Sequence, residues 1–368
     1  MVILMKKITY IFSKGRLNRL HDIEYADDFF YGYRFLEKKN FNTKIIEFSE
    51  VSAVFKKIEH ILSKLISLPL NICSLLRKEN VKIIKDTDNI FLVSEPTAFA
   101  SLPLLLLLKR KYKFKVHMFV MGLYSKKLNY KTFKFIHNFL ISLLISYVDK
   151  LYFLGIEEYK IASEKVFDKN KVIYSPFHID TKFWKSNNYD PLIKDKILFI
   201  GNDGNRDYDL LIKIAKKMPE KNFIFVSSNE KVINLQLSNV EIINGNWSST
   251  KIKDSNLKEI YLDARMVILP LKNTSQPSGQ SVTLQSMSLG VPVVISKTRG
   301  FWDKNLFVND TNIFFEDKGT VGSWIEKINI IYDNNSKLES VSKSSTELVH
   351  QKFNLNLFNE FLLNEVGI

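Results

Sequence analysis

Short apolar runs alternate with amphipathic stretches along almost the whole chain, and this alternation limits the fold more than any other feature of the sequence. In the first half, Ile90-Phe91-Leu92-Val93 and residues 116–120 have the length and bulk of buried strands, and residues 98–109 between them have helical length. The second half repeats the rhythm over residues 196–269. Strands that alternate with helices pair in parallel. The pattern therefore predicts an α/β fold built on parallel sheets.

The length of the chain predicts two domains, because 368 residues exceed what one hydrophobic core comfortably holds. Polar residues at 181–195 mark the expected boundary, with the first domain at 1–185 and the second at 186–350. Hydrophobic residues make up 45% of the chain, which is enough for two packed cores. A lone cysteine, Cys73, and the lack of any Cys/His cluster in the sequence predict a reducing compartment and no structural zinc.

The start of the chain predicts a first buried strand. Its apolar run has no cationic stretch ahead of it and no small-residue cleavage site behind it, unlike a secretion signal. The longest uncharged apolar segments, such as residues 139–148, fall short of the roughly 20 residues that a spanning helix requires. We therefore expect a cytoplasmic protein without a transmembrane anchor.

Positive charge is concentrated in the first half of the chain. The formal net charge is +14, and residues 1–180 carry 30 Lys and Arg against 18 Asp and Glu, whereas residues 181–368 carry 23 against 21. Residues 51–78 predict an amphipathic basic helix, and residues 109–115 interleave lysines with aromatics. These features indicate phospholipid head groups or nucleic acid as a partner. A solvated lysine-rich surface, with the helix packed on a sheet, is the structural alternative.

One stretch of the second half carries a pattern suited to anion binding. Residues 266–296 follow the order strand, polar loop, helix, glycine stop and strand. Ser278-Gly279-Gln280 lies where the helix begins, so small residues there let backbone N–H groups approach a phosphate closely. Ser281 and Gln285 are four residues apart and share a helix face that could hold a ribose. A Ser/Gly cap that only starts a helix is the other interpretation.

This part of the chain resembles the C-terminal donor domain of GT-B glycosyltransferases, especially family four and its relatives. The resemblance is carried by Ile260-Tyr261, Leu269-Pro270, Ser278-Gly279-Gln280-Ser281, Gln285-Ser286-Met287, residues 290–294 and Gly300. Of the family's pair of glutamates, the later one, which by resemblance binds the ribose hydroxyls, aligns with Gln285. The earlier one falls on Pro277 and is absent. A glutamine still hydrogen-bonds to a diol but carries no charge.

A second match follows the predicted strand at 196–200, where relatives carry residues that neutralise the donor's diphosphate. Gly201 starts the turn, and Asn202 stands where the family has an arginine. Arg206 is the candidate cation, because a guanidinium suits bidentate contact with phosphate. A surface ion pair between Arg206 and Asp207 or Asp209 is the alternative.

Weaker matches complete the implied donor site. Ser227, at the end of a strand, and Asn246-Trp247, which follow Gly245, lie where such domains enclose the base. The segment 351–368 has helical apolar spacing and, by the resemblance, crosses back to the first domain. The resemblance thus implies the GT-B fold, two Rossmann-like β/α/β domains that face each other across a cleft.

The implied activity is transfer of a sugar from a nucleotide diphosphate-sugar to an acceptor hydroxyl. Arg206 and the helix that begins near Ser278 would neutralise charge on the departing diphosphate, so no metal or other cofactor is expected. Glu95 and Asp28, near predicted strand ends of the first domain, are candidate acid/base or sugar-orienting groups; a helix cap or a surface charge is the alternative for each. Whether the sugar's configuration is retained or inverted stays open.

The basic first domain predicts a protein peripheral on the inner face of the cell membrane, with a lipid-linked or cell-surface saccharide as acceptor. No nucleic acid is expected as a partner under this interpretation. Two alternatives come from other classes of protein. One is a nucleic-acid-binding protein, indicated by the net charge and by residues 109–115. The other is a non-catalytic GT-B subunit that binds a nucleotide-sugar or a partner enzyme, indicated by Pro277 and Gln285.

Overall fold

The chain forms two compact units in the computed structural model, which describes residues 6–125, 128–245 and 252–367. The first unit comprises the described residues before Asp22, the segment Phe30–Ser175 and residues 363–367. The second comprises Asp22–Phe29 and the described part of Pro176–Leu362. A short piece of the N-terminal sequence therefore belongs to the C-terminal unit.

The first unit is built on a six-stranded parallel sheet. Its strands, β1 to β6, are Lys7–Phe12, Asn42–Glu47, Asn89–Leu92, Lys115–Val120, Lys150–Phe153 and Val172–Tyr174. Their order in the sheet is β2-β1-β3-β4-β5-β6. The central strand β3 is buried at all four residues, as expected for a parallel strand covered by helices on both faces.

Six helices accompany this sheet: α1 to α6 are Tyr33–Lys38, Ala53–Ile66, Lys78–Lys85, Glu95–Leu108, Lys134–Tyr147 and Ile156–Lys165. Helix α4 is apolar on all sides and mostly buried. It begins with a capping box in which Ser94 and Thr97 satisfy each other's backbone N–H groups. The capped start fixes Glu95 directly after strand β3.

The second unit contains another six-stranded parallel sheet. Strands β7 to β12 are Lys196–Ile200, Asn222–Ser227, Val240–Asn244, Ala264–Leu269, Val293–Ser296 and Phe314–Glu316. Their order is β12-β11-β10-β7-β8-β9, so the direction of winding reverses between β7 and β10. Ligands of doubly wound sheets bind outside the carboxyl ends of the strands at such a switch point. A ligand site is therefore expected at the loops after β7 and β10.

Helices α7 to α13 of the described residues are Tyr208–Lys217, Glu230–Ile233, Asp254–Leu262, Gln280–Ser288, Val321–Tyr332, Asn335–Lys352 and Leu355–Val366. Helix α10 is held by α12, because Thr346 donates from Oγ1 to the Met287 carbonyl (2.9 Å). Gly290, with φ of 85°, ends α10 in the left-handed conformation that glycine adopts at little cost. These contacts hold the helix whose N-terminus faces the switch point.

The predicted fold class is confirmed, since both halves are parallel α/β sheets with helices between the strands. The single amphipathic helix predicted over residues 51–78 is wrong. Helix α2 stops at Ile66, because Ser67 takes a left-handed conformation (φ 58°) and Pro69 follows, and α3 starts separately at Lys78. Within the described ranges, no helix combines the length and apolarity that crossing a bilayer would take.

Candidate functional site

The loops that follow β7 and β10 are joined directly at the switch point. Asp207 donates its backbone N–H to the Pro270 carbonyl (2.9 Å), and Lys272 donates to the Asn205 carbonyl (2.8 Å). The Asn205 side chain also donates to the Ser278 hydroxyl, at 2.9 Å. Neighbouring parallel strands bring their carboxyl ends to one edge of the sheet. Hydrogen bonds therefore hold the turn at 201–207 against the loop that leads into α10.

The Arg206 guanidinium lies inside this structure and is buried. A Cβ atom added to Gly201 would lie 2.3 Å from the Arg206 Nε, so only glycine leaves room for the side chain there. The Nη1 atom lies 3.7 Å from the place where a Cβ on Gly279 would sit. Gly201 thus leaves the room in which the guanidinium lies, next to the residue that precedes α10.

The charge of Arg206 is only partly matched by the protein. Nε donates weakly to the Ile200 carbonyl (3.4 Å). Nη1 lies 3.1 Å from the Asp203 carboxylate, yet it makes no hydrogen bond of good geometry within the described part of the chain. A buried donor whose acceptor is poorly aligned forgoes much of the free energy that a good hydrogen bond contributes. An anion at this position would recover that free energy.

The N-terminus of α10 provides further donors at the same place. Gly279, the residue before the helix, has φ of 83°, and no side chain caps the helix. The first turn contains no acidic residue, and the first hydrogen bond within the helix runs from the Thr283 N–H to the Gly279 carbonyl (2.9 Å). Gln280 is buried at the first helical position, and Ser281 is half-buried. An uncapped N-terminus with a cation beside it is chemically an anion-binding site.

Three other predicted residues meet at the ends of β7 and β8. Ser227 donates from Oγ to the Gly201 carbonyl (2.7 Å), and the Asn202 Oδ1 accepts from the Ser228 N–H (2.6 Å). The Asn202 amide also donates to the Gly245 carbonyl at the end of β9. These hydrogen bonds therefore join the residues that follow β7 to the ends of β8 and β9. The predicted pair Asn246-Trp247 lies outside the described residues.

Gln285, the predicted ribose-binding residue, has its side chain engaged within the protein. Its Nε2 donates to the Asp28 Oδ2 at 2.8 Å, and its Oε1 lies 3.2 Å from the Tyr261 hydroxyl, which donates to it. The whole side chain is buried. Ser281 and Gln285 share a face of α10 as predicted from their spacing, but the structure gives Gln285 protein partners at both ends of its amide.

Asp28 belongs to the second unit, in the segment Asp22–Phe29. Its carboxylate accepts three hydrogen bonds: from the Asp180 N–H (2.6 Å), the Trp184 Nε1 (2.7 Å) and Gln285. Burial raises the pKa of this carboxyl to about 7, although the hydrogen bonds from Asp180 and Gln285 favour the ionised form and lower it. The side chain thus lies in a closed polar network instead of an open site.

The segment around Asp28 is attached to α9 by further contacts. The Ala26 N–H donates to the Asp254 carboxylate (3.0 Å), and the Ser255 N–H donates to the Glu24 carbonyl (3.0 Å). Lys253 forms an ion pair with Glu24. The sequence gives one hint of this placement: 22–28 is a cluster of acidic residues in an otherwise basic half.

Glu95, the other candidate acid/base residue, belongs to the first unit. It lies after β3 and accepts the Met121 N–H at Oε1 (2.6 Å), at the carboxyl end of β4. The winding of the first sheet reverses between β1 and β3, so Glu95 is beside that switch point. The structure places Glu95 and Asp28 in different units and brings Asp28 together with Gln285.

A cavity of about 510 Å³ opens elsewhere in the second unit, between β12 and α11. Its lining includes none of the predicted donor-binding residues. Four lysines and four acidic residues line it: Lys297, Lys318, Lys327, Lys337, Asp310, Glu316, Asp317 and Glu326. Because these charges balance, the cavity does not favour an anion. Arg206 and the start of α10 are therefore the candidate site.

The two parallel six-stranded sheets define the GT-B fold of glycosyltransferases. The chain is similar over 99% of its length to a glycosyltransferase from Rickettsia africae ESF-5, with 14% identity, 98% of that chain covered and a TM-score of 0.67. Sucrose-phosphate synthase from Thermosynechococcus elongatus gives 12% identity, 98% coverage of both chains and a TM-score of 0.71. Anabaena Alr3699/HepE in complex with UDP gives 12% identity, coverage of 98% and 99%, and a TM-score of 0.67.

Comparisons at the level of sequence give no match. No protein-family model matches the chain, and no curated protein matches it. At 12–14% identity, the similarity to solved structures establishes the fold and leaves the activity to the chemistry of the site.

Proposed function

We propose that the protein is a glycosyltransferase that uses a nucleotide diphosphate-sugar as donor. The observation that carries this proposal is the buried Arg206 guanidinium, with Nη1 unmatched by any good hydrogen bond within the described ranges, beside the uncapped start of α10 at the switch point of the second sheet. A helix N-terminus and an arginine together suit a diphosphate. Anabaena HepE, which shares the fold, has been crystallised with UDP and with UDP-glucose. Uridine nucleotides are therefore the first donors to test.

In the proposed reaction, the bond between the anomeric carbon and the diphosphate oxygen breaks, and a bond from the carbon to the acceptor oxygen forms. The acceptor hydroxyl loses its proton, and the nucleoside diphosphate leaves with an added negative charge. Arg206 and the N–H groups of α10 would stabilise that charge, which is the role a metal ion fills elsewhere. We propose that no metal or other cofactor is required. Such preorganised donors are worth about 3–4 kcal/mol each in transition-state stabilisation.

Roles for the carboxylates follow from their environments. Glu95, at the switch point of the first sheet, is our candidate for the group that orients the sugar or accepts the acceptor's proton. Asp28 is surrounded by three donors, so we propose that it acts by holding Gln285 and α10 in place. Ser281, half-buried on the same helix, is therefore our candidate for the ribose contact in place of Gln285. We propose that Asn202, Ser227 and Asn246-Trp247 contact the base.

The donor assignment is tested by thermal stabilisation of the full chain with UDP-, GDP-, ADP- and CMP-sugars. One donor class should raise Tm, and Arg206→Ala should remove that rise. Lys213→Ala, an exposed position on α7 of the same unit, serves as the matched control. Because Arg206 is buried, Arg206→Lys is measured as well, and both variants must melt cooperatively without ligand. An unchanged response of a folded Arg206 variant would remove the proposal.

A non-catalytic GT-B subunit is the second candidate, and one observation favours it: the Gln285 amide is already bonded to Asp28 and Tyr261. Such a subunit would bind a nucleotide-sugar or a partner enzyme without transferring the sugar. Release of nucleoside diphosphate with and without acceptor mixtures separates the two. Binding without turnover supports the subunit, and acceptor-dependent release supports the enzyme.

For the acceptor, we propose a lipid-linked or cell-surface saccharide, with the enzyme taking part in polysaccharide biosynthesis as a hexosyltransferase-type member close to family four. The support is the excess of positive charge in residues 1–180, which suits an anionic membrane. The first unit would bind the acceptor, and the protein would be peripheral on the inner face of the cell membrane.

A further inference from the structure

We propose that helix α2 and the first turns of α5 form a membrane-docking surface that inserts apolar side chains into an anionic bilayer. This inference deepens the proposed membrane location and rests on the proposed function for its purpose. The surface is defined by five residues of α2 and three of α5: Val54, Phe55, Ile58, Ile61, Leu62, Phe135, Ile136 and Phe139.

The apolar face of α2 points away from the protein. Its five large apolar side chains are between 44% and 67% exposed, and their three- and four-residue spacing puts them on one side of the helix. The opposite side attaches the helix: Glu59 accepts the Cys73 N–H (2.8 Å), and the Ser63 hydroxyl accepts the Leu70 N–H (2.9 Å). A surface helix normally reverses this arrangement and buries its apolar face.

The start of α5 extends this exposed surface. Phe135, Ile136 and Phe139 are between 43% and 79% exposed. His137, on the same turn, is buried, and its Nδ1 lies 2.8 Å from the Ile66 carbonyl at the end of α2. The Asn129 side chain, just before α5, donates to the Lys64 carbonyl (2.9 Å). These two contacts place the start of α5 beside the end of α2, so the exposed apolar side chains of the two helices lie on neighbouring parts of the first unit's surface.

The charges around the docking surface suit phospholipid head groups. Lys131 and Lys134, at the start of α5, are exposed, and residues 128–148 contain no Asp or Glu. On α2, Lys56, Lys57 and Lys64 are exposed or half-buried, and the single acidic residue, Glu59, is bonded to the Cys73 backbone. Lysines that flank an apolar face lie in the head-group region while the apolar face enters the acyl boundary.

The composition of the docking surface favours a bilayer over other partners. Five of the eight apolar residues are aliphatic, and aliphatic side chains do not stack on bases as a nucleic-acid surface requires. Arginine is the residue enriched in protein interfaces and in nucleic-acid readout. In contrast, the exposed basic residues on α2 and at the start of α5 are all lysines: Lys56, Lys57, Lys64, Lys131 and Lys134. Large apolar groups with lysines beside them match an anionic lipid surface.

Vesicle flotation of the full chain, without donor or acceptor, tests the proposal. Vesicles of phosphatidylcholine with about one-third phosphatidylglycerol provide the anionic surface, and phosphatidylcholine alone is the neutral comparison. The triple variant Phe55→Ser/Ile58→Ser/Ile61→Ser should lower partitioning by about tenfold or more, from the apolar area removed. The matched control, Val308→Ser/Ile330→Ser/Leu357→Ser, changes exposed apolar residues of the second unit and should bind as the unmodified protein does.

Salt separates insertion from attraction by charge alone. Raising the salt to about 1 M should weaken binding by the unmodified protein without abolishing it, because screening leaves the apolar contribution intact. Absence of flotation at low salt, or equal flotation by the α2 variant and the control, overturns the proposal. Binding to RNA or DNA that the α2 substitutions abolish, or a dimer that they dissociate, does the same when the unmodified protein shows no flotation.

The outcome is independent of the donor assignment. The α2 variant should keep the Tm rise produced by the correct nucleotide-sugar, and Arg206→Lys should still float with anionic vesicles. Loss of flotation with an unchanged donor response supports the docking surface. If the protein floats with anionic vesicles but no nucleotide-sugar raises its Tm, the docking surface is supported and the proposed activity is refuted.

Discussion

The buried contact between Asp28 and Gln285 makes a strong prediction about Gln285→Glu, the change that would restore the family's residue. In the protein as it stands, the Gln285 Nε2 donates to the Asp28 Oδ2 at 2.8 Å. A glutamate would remove this donor and put a second carboxylate against the first, with both side chains buried. An uncompensated buried charge typically costs about 3–5 kcal/mol. We expect the free energy of unfolding of the second unit to fall by roughly that amount at pH 8.

The effect should depend on pH with a definite sign. Burial already raises the Asp28 pKa from 3.8 to about 7. A carboxyl with a raised pKa in the folded state contributes stability that is present below pH 4 and is lost as the pH rises towards 7. A second carboxylate would raise the pKa of the pair further, because two like charges in contact share one proton. The loss caused by Gln285→Glu should therefore be smaller at pH 5 than at pH 8.

Tryptophan fluorescence during urea unfolding is the appropriate assay. The four tryptophans are residues 184, 247, 302 and 324, so the signal reports the part of the chain from residue 184 onwards. Trp184 donates directly to Asp28. The double variant Asp28→Asn/Gln285→Glu is the control, because the amide introduced at position 28 can donate to the carboxylate introduced at position 285. It should recover only part of the stability, because the same amide takes the acceptor from the Trp184 Nε1. Wild-type stability of Gln285→Glu at pH 8, with the same pH dependence, would refute the reasoning.

Three further predictions follow from other contacts. Gly201→Ala would put a Cβ 2.3 Å from the Arg206 Nε and displace the guanidinium, so donor affinity should fall by about tenfold in a calorimetric titration. Gly204→Ala is the control, because a Cβ there meets no atom within 4 Å. Glu95→Gln keeps an oxygen to accept the Met121 N–H, so folding should persist while kcat falls by about 10² to 10⁴-fold; an unchanged kcat would exclude Glu95 as the acid/base group. Burial lowers the pKa of His117 to about 3, so the stability contributed by its neutral imidazole is present above pH 6.5 and is lost as the pH falls below 6.5. Its imidazole NMR signals should not titrate between pH 8 and 5. A titration midpoint near 6.5 would contradict the structure.

Local sequence predicted the class of fold because the central strands of both sheets are short apolar runs. Strand β3 shows why: Asn89–Leu92 is buried on both faces, and such a strand must be apolar at nearly every position. The same local logic identified the start of α10, since Gly279 before a helical stretch marks an N-terminus open to an anion. It failed at 51–78, where apolar spacing continues past Ser67 but the backbone turns.

The sequence by itself determined the parallel α/β class and the position of the helix start at Gly279, because both depend on neighbours along the chain. Only the tertiary structure decided that Arg206 meets Gly279 and that Gln285 bonds to Asp28, 257 residues away. The first depends on β7 lying beside β10, and strand order is set by packing between distant segments. The second depends on Asp22–Phe29 joining the other unit, through contacts that no local pattern encodes.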